Sequence, residues 1–292
     1  MQFAVNYSPS LAALVRQGRV TLDCFKCPAW PDLLADARQT LPVYVHFPLV
    51  VGAGQGGPLD DERHALADLD RVAEMQAQTG TPLVNTHFIP SAKDYPGIDP
   101  DSRDPRDIER VVGNTLRDLE PLLKRFGSER VTLENVINDY GYLTIAVLPE
   151  VIGRVLEQAG CGFLFDLSHA RLSARNLGLE ARAYCAALPV DRIREIHVTG
   201  LQKIDGDLRA RILAAGDPGA FAARMTGKWM DHLAMTPADW PELAWALGEI
   251  HAGRWQEPWV LAYEYGGVGG FWETVTDEAI YLEQVPRMRE MI

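Results

Sequence analysis

Cys161-Gly162-Phe163-Leu164-Phe165-Asp166-Leu167-Ser168-His169 is the stretch whose reading decides the fold. It opens as a short apolar run, which suits a strand buried on both faces of a helix-covered parallel sheet. It ends in a carboxylate, with a histidine three residues on. In a straight strand Asp166 and His169 would point to opposite faces. If the strand stops at Asp166 and the chain turns, both converge on one point above the strand end. Alone, the pair also reads as an aspartate capping a turn beside a surface histidine. The same arrangement recurs along the chain, an apolar strand followed by His or Glu at its C-terminal end, and this favours the first reading.

Working outward, strands are expected at 3–7, 20–25, 43–47, 83–88, 130–135, 161–166, 193–198 and 259–265. Helices are expected after Ser8 and over 28–39, 60–79, 107–126, 149–159, 179–187, 237–251 and 272–291. Gly18, Gly80, Gly127 and Gly160 stand as helix stops. Eight strands alternating with helices, with no break in composition, predict an α/β fold: a single (β/α)8 barrel over 1–292, with an excursion at about 200–253 before the last strand. The Gly-rich segment 51–58 lacks the Lys-Ser/Thr of a phosphate-binding loop and reads as a flexible loop near the site. Residues 90–105 read as a long polar loop.

A chain of 292 residues with 47% hydrophobic content can bury one large core. The net charge of −12 argues against a nucleic-acid partner, whose phosphates call for a basic surface. Residues 1–7 do not read as a secretory signal, and no apolar run approaches the roughly 18 residues of a membrane helix, so the expected location is cytoplasmic. Four cysteines are too few for a disulfide scaffold. Cys24 and Cys27 have CxxC spacing, but no second pair completes a zinc site, and the motif lies at a strand end before Pro28 rather than at a helix start.

Active sites of such barrels lie at the C-terminal ends of the strands. The residues expected there are His46, His87, Glu134, Asp166, His197 and Glu264, with His169, Asp231 and His232 in adjoining loops. His64 and His251 fall on expected helices, outside this ring. One histidine at a strand end is ordinarily a hydrogen-bonded structural residue, and Glu134 or Glu264 alone could pair with an arginine. Together, however, they share one pocket, and their negative charge must be neutralised. Fixed cations nearby are few: Lys26, Arg171 and Lys203. Bound metal ions supply the missing charge. Imidazole and carboxylate without thiolate suit iron, manganese or zinc. Nine candidate ligands exceed the needs of one ion and fit two or three. Asn6, Lys26 and Asn135 are candidates to position substrate or to orient ligands.

Leu133-Glu134-Asn135, Gly160 to Asp166, Asn176-Leu177-Gly178 and Glu195-Ile196-His197-Val198-Thr199-Gly200 resemble, in order and approximate spacing, segments of the multinuclear non-heme iron-dependent oxidative enzymes, the family of the methanobactin oxazolone-forming enzyme. The resemblance covers most of the chain from His46 to Glu264. It implies a xylose-isomerase-like barrel, two or three irons, and O2 used to oxidise cysteine-containing peptides. Carried over by position, the ligands would be His46, His87, Glu134, Asp166, His197 and Glu264, with Glu134 as a bridge between ions. It leaves room for a partner protein that presents the substrate. The chain departs from the family in Ser168-His169, where Asn-Asn is frequent, and in adjacent Asp231-His232, where Asp-x-His is common. Lys26-Cys27-Pro28-Ala29-Trp30 and the loop after His46 also differ, which marks a divergent branch whose substrate, a small molecule or a peptide, does not carry over. Asp166-x-x-His169 with the other donors also resembles the trinuclear zinc site of the endonuclease IV family, which implies phosphodiester hydrolysis through a metal-activated water. Sugar isomerases and epimerases, with mononuclear carboxylate-rich sites, are a third resemblance, and a non-catalytic metal-binding protein is a fourth reading. A shared fold does not decide among them.

Overall fold

The computed structural model describes every residue except Tyr140, Ala215 and residues 217–219, and all side chains of the described residues but that of Thr274. The chain begins β1 (Gln2–Asn6), α1 (Pro9–Arg16), β2 (Cys24–Pro28), α2 (Pro31–Ala37), β3 (Val43–His46) and β4 (Leu49–Val51). A small hairpin follows, β5 (Leu59–Asp60) and β6 (Ala65–Leu66), then α3 (Leu69–Thr79), β7 (Val84–Phe88), α4 (Pro105–Phe126), β8 (Val131–Glu134) and α5 (Pro149–Ala159). The second half runs β9 (Gly162–Asp166), α6 (Leu167–Leu177), α7 (Ala181–Ala187), β10 (Ile193–Val198), β11 (Gly200–Lys203), α8 (Gly206–Ala214), α9 (Phe221–Met225) and β12 (Trp229–Leu233). It closes with α10 (Trp240–His251), β13 (Val260–Tyr263), α11 (Gly270–Val275) and α12 (Glu278–Arg289).

The parallel strands follow the order β3-β2-β1-β13-β10-β9-β8-β7-β4. Since β3 and β4 are two pieces of one barrel strand, the order returns on itself and the eight-stranded barrel closes. Phe47-Pro48 separates the pieces; proline has no N–H to give to a ladder. Side chains cover the gap: Phe47 N–H donates to Asn85 Oδ1 at 2.7 Å, Asn85 Nδ2 donates to the Phe47 carbonyl at 3.1 Å, and Val45 N–H donates to Thr81 Oγ1 at 2.9 Å.

Alternation along each strand sorts the core into two shells. Phe3, Val5, Phe163, Phe165, Ile196, Leu261 and Tyr263 point outward beneath the helices in the main core. Ala4, Cys24, Tyr44, Val260 and Ala262 fill the barrel interior. Cys24 and Cys27 therefore lie in different shells of one strand, both buried and free. Each large apolar side chain removed from water contributes roughly 1.5–3 kcal/mol, so truncation of Phe165 would cost that burial and its edge-on contact with Trp255.

Several local expectations are corrected. The helix expected over 60–79 starts at Leu69, where Asp68 accepts from Asp70 N–H and Arg71 N–H. Before it, β5 pairs antiparallel with β4 and β6. Asp60 Oδ1 accepts from Glu62 N–H and Arg63 N–H at 3.1 Å and sets that turn. His64 is thus an exposed turn residue at φ 53, not a helical one. The Gly-rich loop expected to be flexible is anchored: Gly52, Gly54 and Gly56 N–H donate to the buried Asp118 carboxylate at 3.0, 2.8 and 2.8 Å. Helix α6 begins directly after β9, ahead of the helix expected at 179–187. The helix expected over 272–291 is two, α11 and α12, with Asp277 capping the second.

Of the stretch 200–253, the part up to Leu233 packs around its own cluster of Ile204, Ile212, Met225, Met230 and Leu233. Helix α10 instead sends Leu243, Ala246, Leu247 and Ile250 into the main core. The hairpin of β11 with β12 is tight at its base, where a Cβ on Gly200 would lie 1.9 Å from the Ala234 carbonyl oxygen. Among the described residues no helix is long and apolar enough to cross a membrane.

Candidate metal centre

The barrel brings all nine expected ligands into one cluster at the C-terminal ends of its strands. His46 ends β3, His87 and Glu134 lie at matched positions on β7 and β8, and Asp166 and His197 at matched positions on β9 and β10. Glu264 follows β13. His169 comes back from the first turn of α6, and Asp231 and His232 arrive on β12 from the excursion.

His46 Nε2 and His87 Nε2 are 3.2 Å apart, and Glu134 Oε2 lies 3.5 Å from the first and 3.1 Å from the second. The other oxygen, Glu134 Oε1, is 3.5 Å from His169 Nδ1 and 3.9 Å from His197 Nδ1. His197 Nδ1 is 3.1 Å from Glu264 Oε1, whose partner oxygen is 3.7 Å from His232 Nε2. His169 Nε2 is 2.9 Å from Asp231 Oδ2. Four donor groups result, each with donor atoms within 4.8 Å of one another: His46-His87-Glu134, Glu134-Asp166-His197, His46-Glu195-His197 and His169-Asp231-His232. Glu134 belongs to two of them, one oxygen facing each way.

The donor atoms fit a cation better than they fit each other. Among the described residues Glu134 Oε2, Asp166 Oδ2 and His197 Nδ1 are buried in the cluster and have no hydrogen-bond partner, and neither does His46 Nδ1, on the side of its ring away from the Nε2 that meets His87 and Glu134. His197 Nδ1 lies within ion-pair distance of Glu264 Oε1, at 3.1 Å, without a hydrogen bond of good geometry. Buried polar atoms are ordinarily paired, and leaving one unpaired costs about 1–3 kcal/mol. Three such atoms in one cluster of nitrogen and oxygen donors suit divalent metal ions.

The outer ring atoms fix the tautomers. His87 Nδ1 is 3.0 Å from the Leu49 carbonyl, His169 Nδ1 is 2.8 Å from the Asn135 carbonyl, and His197 Nε2 is 2.7 Å from Glu195 Oε1. In the neutral ring each of these nitrogens carries the hydrogen, which leaves the opposite nitrogen with a lone pair toward the cluster. His46 is held well below the usual histidine range by burial, reinforced by Lys26, His87 and His197. For His197 burial opposes the charged ring, but Glu264 and Glu195 outweigh it and raise it to about 10. For His169 burial is likewise outweighed, by Asp166 and Asp231. Burial pushes Asp166 up to about 6, aided by Glu264 and Glu134. Burial also works against Glu264, yet His197, Lys26 and His232 hold it well below the carboxylate range. The metal-free cluster is thus a tangle of shared protons and like charges, the state that cation binding relieves.

The three expected supporting residues differ in placement. Asn6 and Lys26 line the cavity, Asn6 Nδ2 donating to the Gly266 carbonyl at 3.3 Å and Lys26 forming a buried ion pair with Glu264. Asn135 turns instead to the backbone: its side chain brackets Asp166, accepting from its N–H and donating to its carbonyl, both at 2.9 Å. Sequence reasoning overlooked Glu195. Its signal was parity, since Glu195 and His197 are two apart on one strand and share the inner face. His232 adopts φ 57, uncommon for a residue with a side chain, and its ring sits 5.3 Å from that of Trp272. Above the cluster opens a cavity of about 540 Å³, walled by Trp30, Pro48, Ile89, Val268 and Trp272, with exposed Asp61 and Glu62 at its edge.

Residues 28–212 match the family described as RiPP precursor modification enzyme MbnB/TglH/ChrH. Among curated proteins, a UPF0276 protein of Acaryochloris marina is 33% identical over 178 residues, 59% of this chain and 60% of that one. Another, of Anaeromyxobacter sp. strain Fw109-5, is 37% identical over 95 residues, 32% of this chain and 31% of its own length. A third, of Paraburkholderia phytofirmans, is 27% identical over 171 residues, 57% and 52% of the two chains. The chain thus spans from about a third to about three-fifths of these relatives' length. Among solved structures, endonuclease IV from Thermus thermophilus superposes with TM-score 0.52 at 14% identity over the full length of both chains. D-psicose 3-epimerase superposes with TM-score 0.54 at 12% identity, covering 99% of this chain and 97% of that one. These two similarities show the xylose-isomerase-like barrel and nothing finer. The family match extends over more than half of the chain and takes in the clustered donors His46, His87, Glu134, Asp166, His169 and His197 together with Glu195 in their support; by it, the protein belongs to the RiPP precursor modification enzymes of the MbnB/TglH/ChrH family.

Proposed function

We propose that the protein is a multinuclear iron-dependent oxidative enzyme that uses O2 to modify a cysteine-containing peptide or a small thiol-bearing molecule. One observation carries this reading: four groups of nitrogen and oxygen donors, two of them joined through Glu134, lie at the base of a single cavity lined by His46, His87, Glu134, His169 and His232. The ions would supply O2 reduction and a coordination position for a substrate donor atom. The chain's own residues do the rest. Glu134 holds two sites at a fixed separation, the Leu49, Asn135 and Glu195 acceptors lock three imidazoles in their ligand tautomers, and Trp30 and Trp272 wall the cavity against water. The acidic edge disfavours a nucleic-acid backbone. The working unit we envisage is the whole barrel over 1–292, in the cytoplasm, acting on its substrate directly or with a partner protein that presents it.

The test is loading with ferrous iron without oxygen, followed by a count of bound ions. The iron form should bind two or three ions per chain and consume O2 with a cysteine-containing peptide; the zinc form, lacking an accessible redox change, should not. If the zinc or manganese form cleaves a model phosphodiester while the iron form leaves O2 untouched with thiol peptides, the protein is a hydrolase instead.

A further inference from the structure

The geometry points to Lys26 as the residue that selects the substrate, by holding an anionic group of it at the floor of the cavity beside the metal centre. This rests on the proposed function for the site but not for the chemistry performed there. Lys26 sits on β2 next to Asn6 of β1 and is 6% exposed. Among the described residues it is the only lysine or arginine that lines the cavity. A buried ammonium is costly unless an anion compensates it. In the metal-free protein that anion is Glu264.

Glu264 is also claimed by the centre, since its two oxygens face His197 Nδ1 and His232 Nε2. Ions held there draw on the same carboxylate and weaken its hold on Lys26. The ammonium then stands at the cavity floor with its compensation shared, next to the Asn6 amide. A carboxylate or comparable anion on the substrate restores the pairing and lies within reach of the ions. The exposed edge of the cavity carries Asp61 and Glu62, which repel a second negative charge. The polarity of the walls thus admits a substrate with one anionic end directed inward, and rejects a polyanion. Apolar side walls of Trp30, Val268 and Trp272 suit an uncharged body between.

The test uses the zinc-loaded full-length protein, which is redox-inert, and two probe pairs that differ only in a carboxylate: N-acetylcysteine against its amide, and N-benzoylglycine against its amide. Binding is read by quenching of tryptophan fluorescence and by calorimetry. The acid of each pair should bind roughly tenfold or more tightly than its amide. Lys26→Met should erase that preference by weakening the acids alone, and Lys26→Arg should retain part of it, with metal content unchanged in both. A preference that survives Lys26→Met, equal affinity of acid and amide in the unaltered protein, no binding of either acid, or loss of metal from Lys26→Met would each overturn the assignment. Weak binding of the thiol pair with a retained acid preference in the other pair would count against the thiol substrate alone.

Discussion

Glu195 and His197, two residues apart on β10, are joined by a 2.7 Å contact between Oε1 and Nε2 inside the barrel. Both are buried, so the bond is shielded from competing water. It fixes the imidazole with Nδ1 toward the cluster and increases its basicity as a ligand. Glu195→Gln retains the shape but loses the carboxylate. Metal affinity should fall about 10–100-fold, the usual effect of removing such a support. Competition with a chelator of known affinity measures it, and an unchanged affinity would sink the role given to Glu195.

Asp166 has two tasks that substitutions can separate. Its Oδ1 accepts from His169 N–H at 2.7 Å and caps α6, while Oδ2 has no hydrogen-bond partner among the described residues and lies 3.7 Å from His169 Nδ1 in the donor cluster. Asp166→Ala removes both; Asp166→Asn keeps the cap. Both variants should lose bound metal. Without metal, the alanine variant should be less stable by about 1 kcal/mol, the typical worth of an N-cap. The asparagine variant should be at least as stable as the original, because burial already penalises the ionised carboxylate. Denaturant unfolding of the stripped proteins decides. Equal destabilisation by both substitutions would contradict the division of labour.

The barrel and the clustering of its polar strand ends are legible because parallel strands buried on both faces leave continuous apolar runs, and because polar residues at their C-terminal ends break those runs conspicuously. His46, His87, Glu134, Asp166 and His197 are all of this kind. Less visible was whatever depended on a side chain gripping the backbone. Helix α6 starts at once because Asp166 caps it, and its polar positions Ser168, Arg171, Ser173 and Arg175 masked the periodicity. The β5–β6 hairpin reads in the sequence as the first turns of a helix because acids near a helix start resemble the Asp60 turn. Asp118, in the middle of α4, carries no local sign that it serves a loop more than sixty residues earlier.

That loop yields a third expectation. Asp118 is buried and accepts from the N–H groups of Gly52, Gly54 and Gly56. Asp118→Ala strands three donors, each worth about 1–3 kcal/mol if left buried and unpaired, though part of the loss is recovered if the loop opens to water. The variant should unfold at lower temperature, and limited proteolysis should cut between residues 51 and 58 before global unfolding. Resistance of that segment equal to the original's would show that the loop is held by other contacts.

The last expectation concerns pH and the metal-free protein. His197 is raised to about 10 by Glu264 and Glu195 against the opposing effect of burial, and His169 is raised by Asp166 and Asp231. A histidine whose folded value exceeds its unfolded one binds its proton more tightly in the native state. Its contribution to stability is complete below the ordinary value of 6.5 and is lost as pH rises toward the folded value. The stripped protein should therefore lose stability steadily from about pH 7 to 9, with the buried cysteines, whose thiols burial also raises, adding to the decline above about pH 8. The loaded protein should behave oppositely over the same interval, because ligands must shed protons to bind metal and affinity grows with pH. Glu195→Gln, which withdraws one of the two charges that raise His197, should flatten the decline of the stripped protein. Thermal melts of the stripped, loaded and variant proteins at half-unit steps give all three slopes. A stripped protein that gains stability between pH 7 and 9 would mean that the native cluster holds no more protons than the unfolded chain, neither on the two histidines nor on the carboxylates around them.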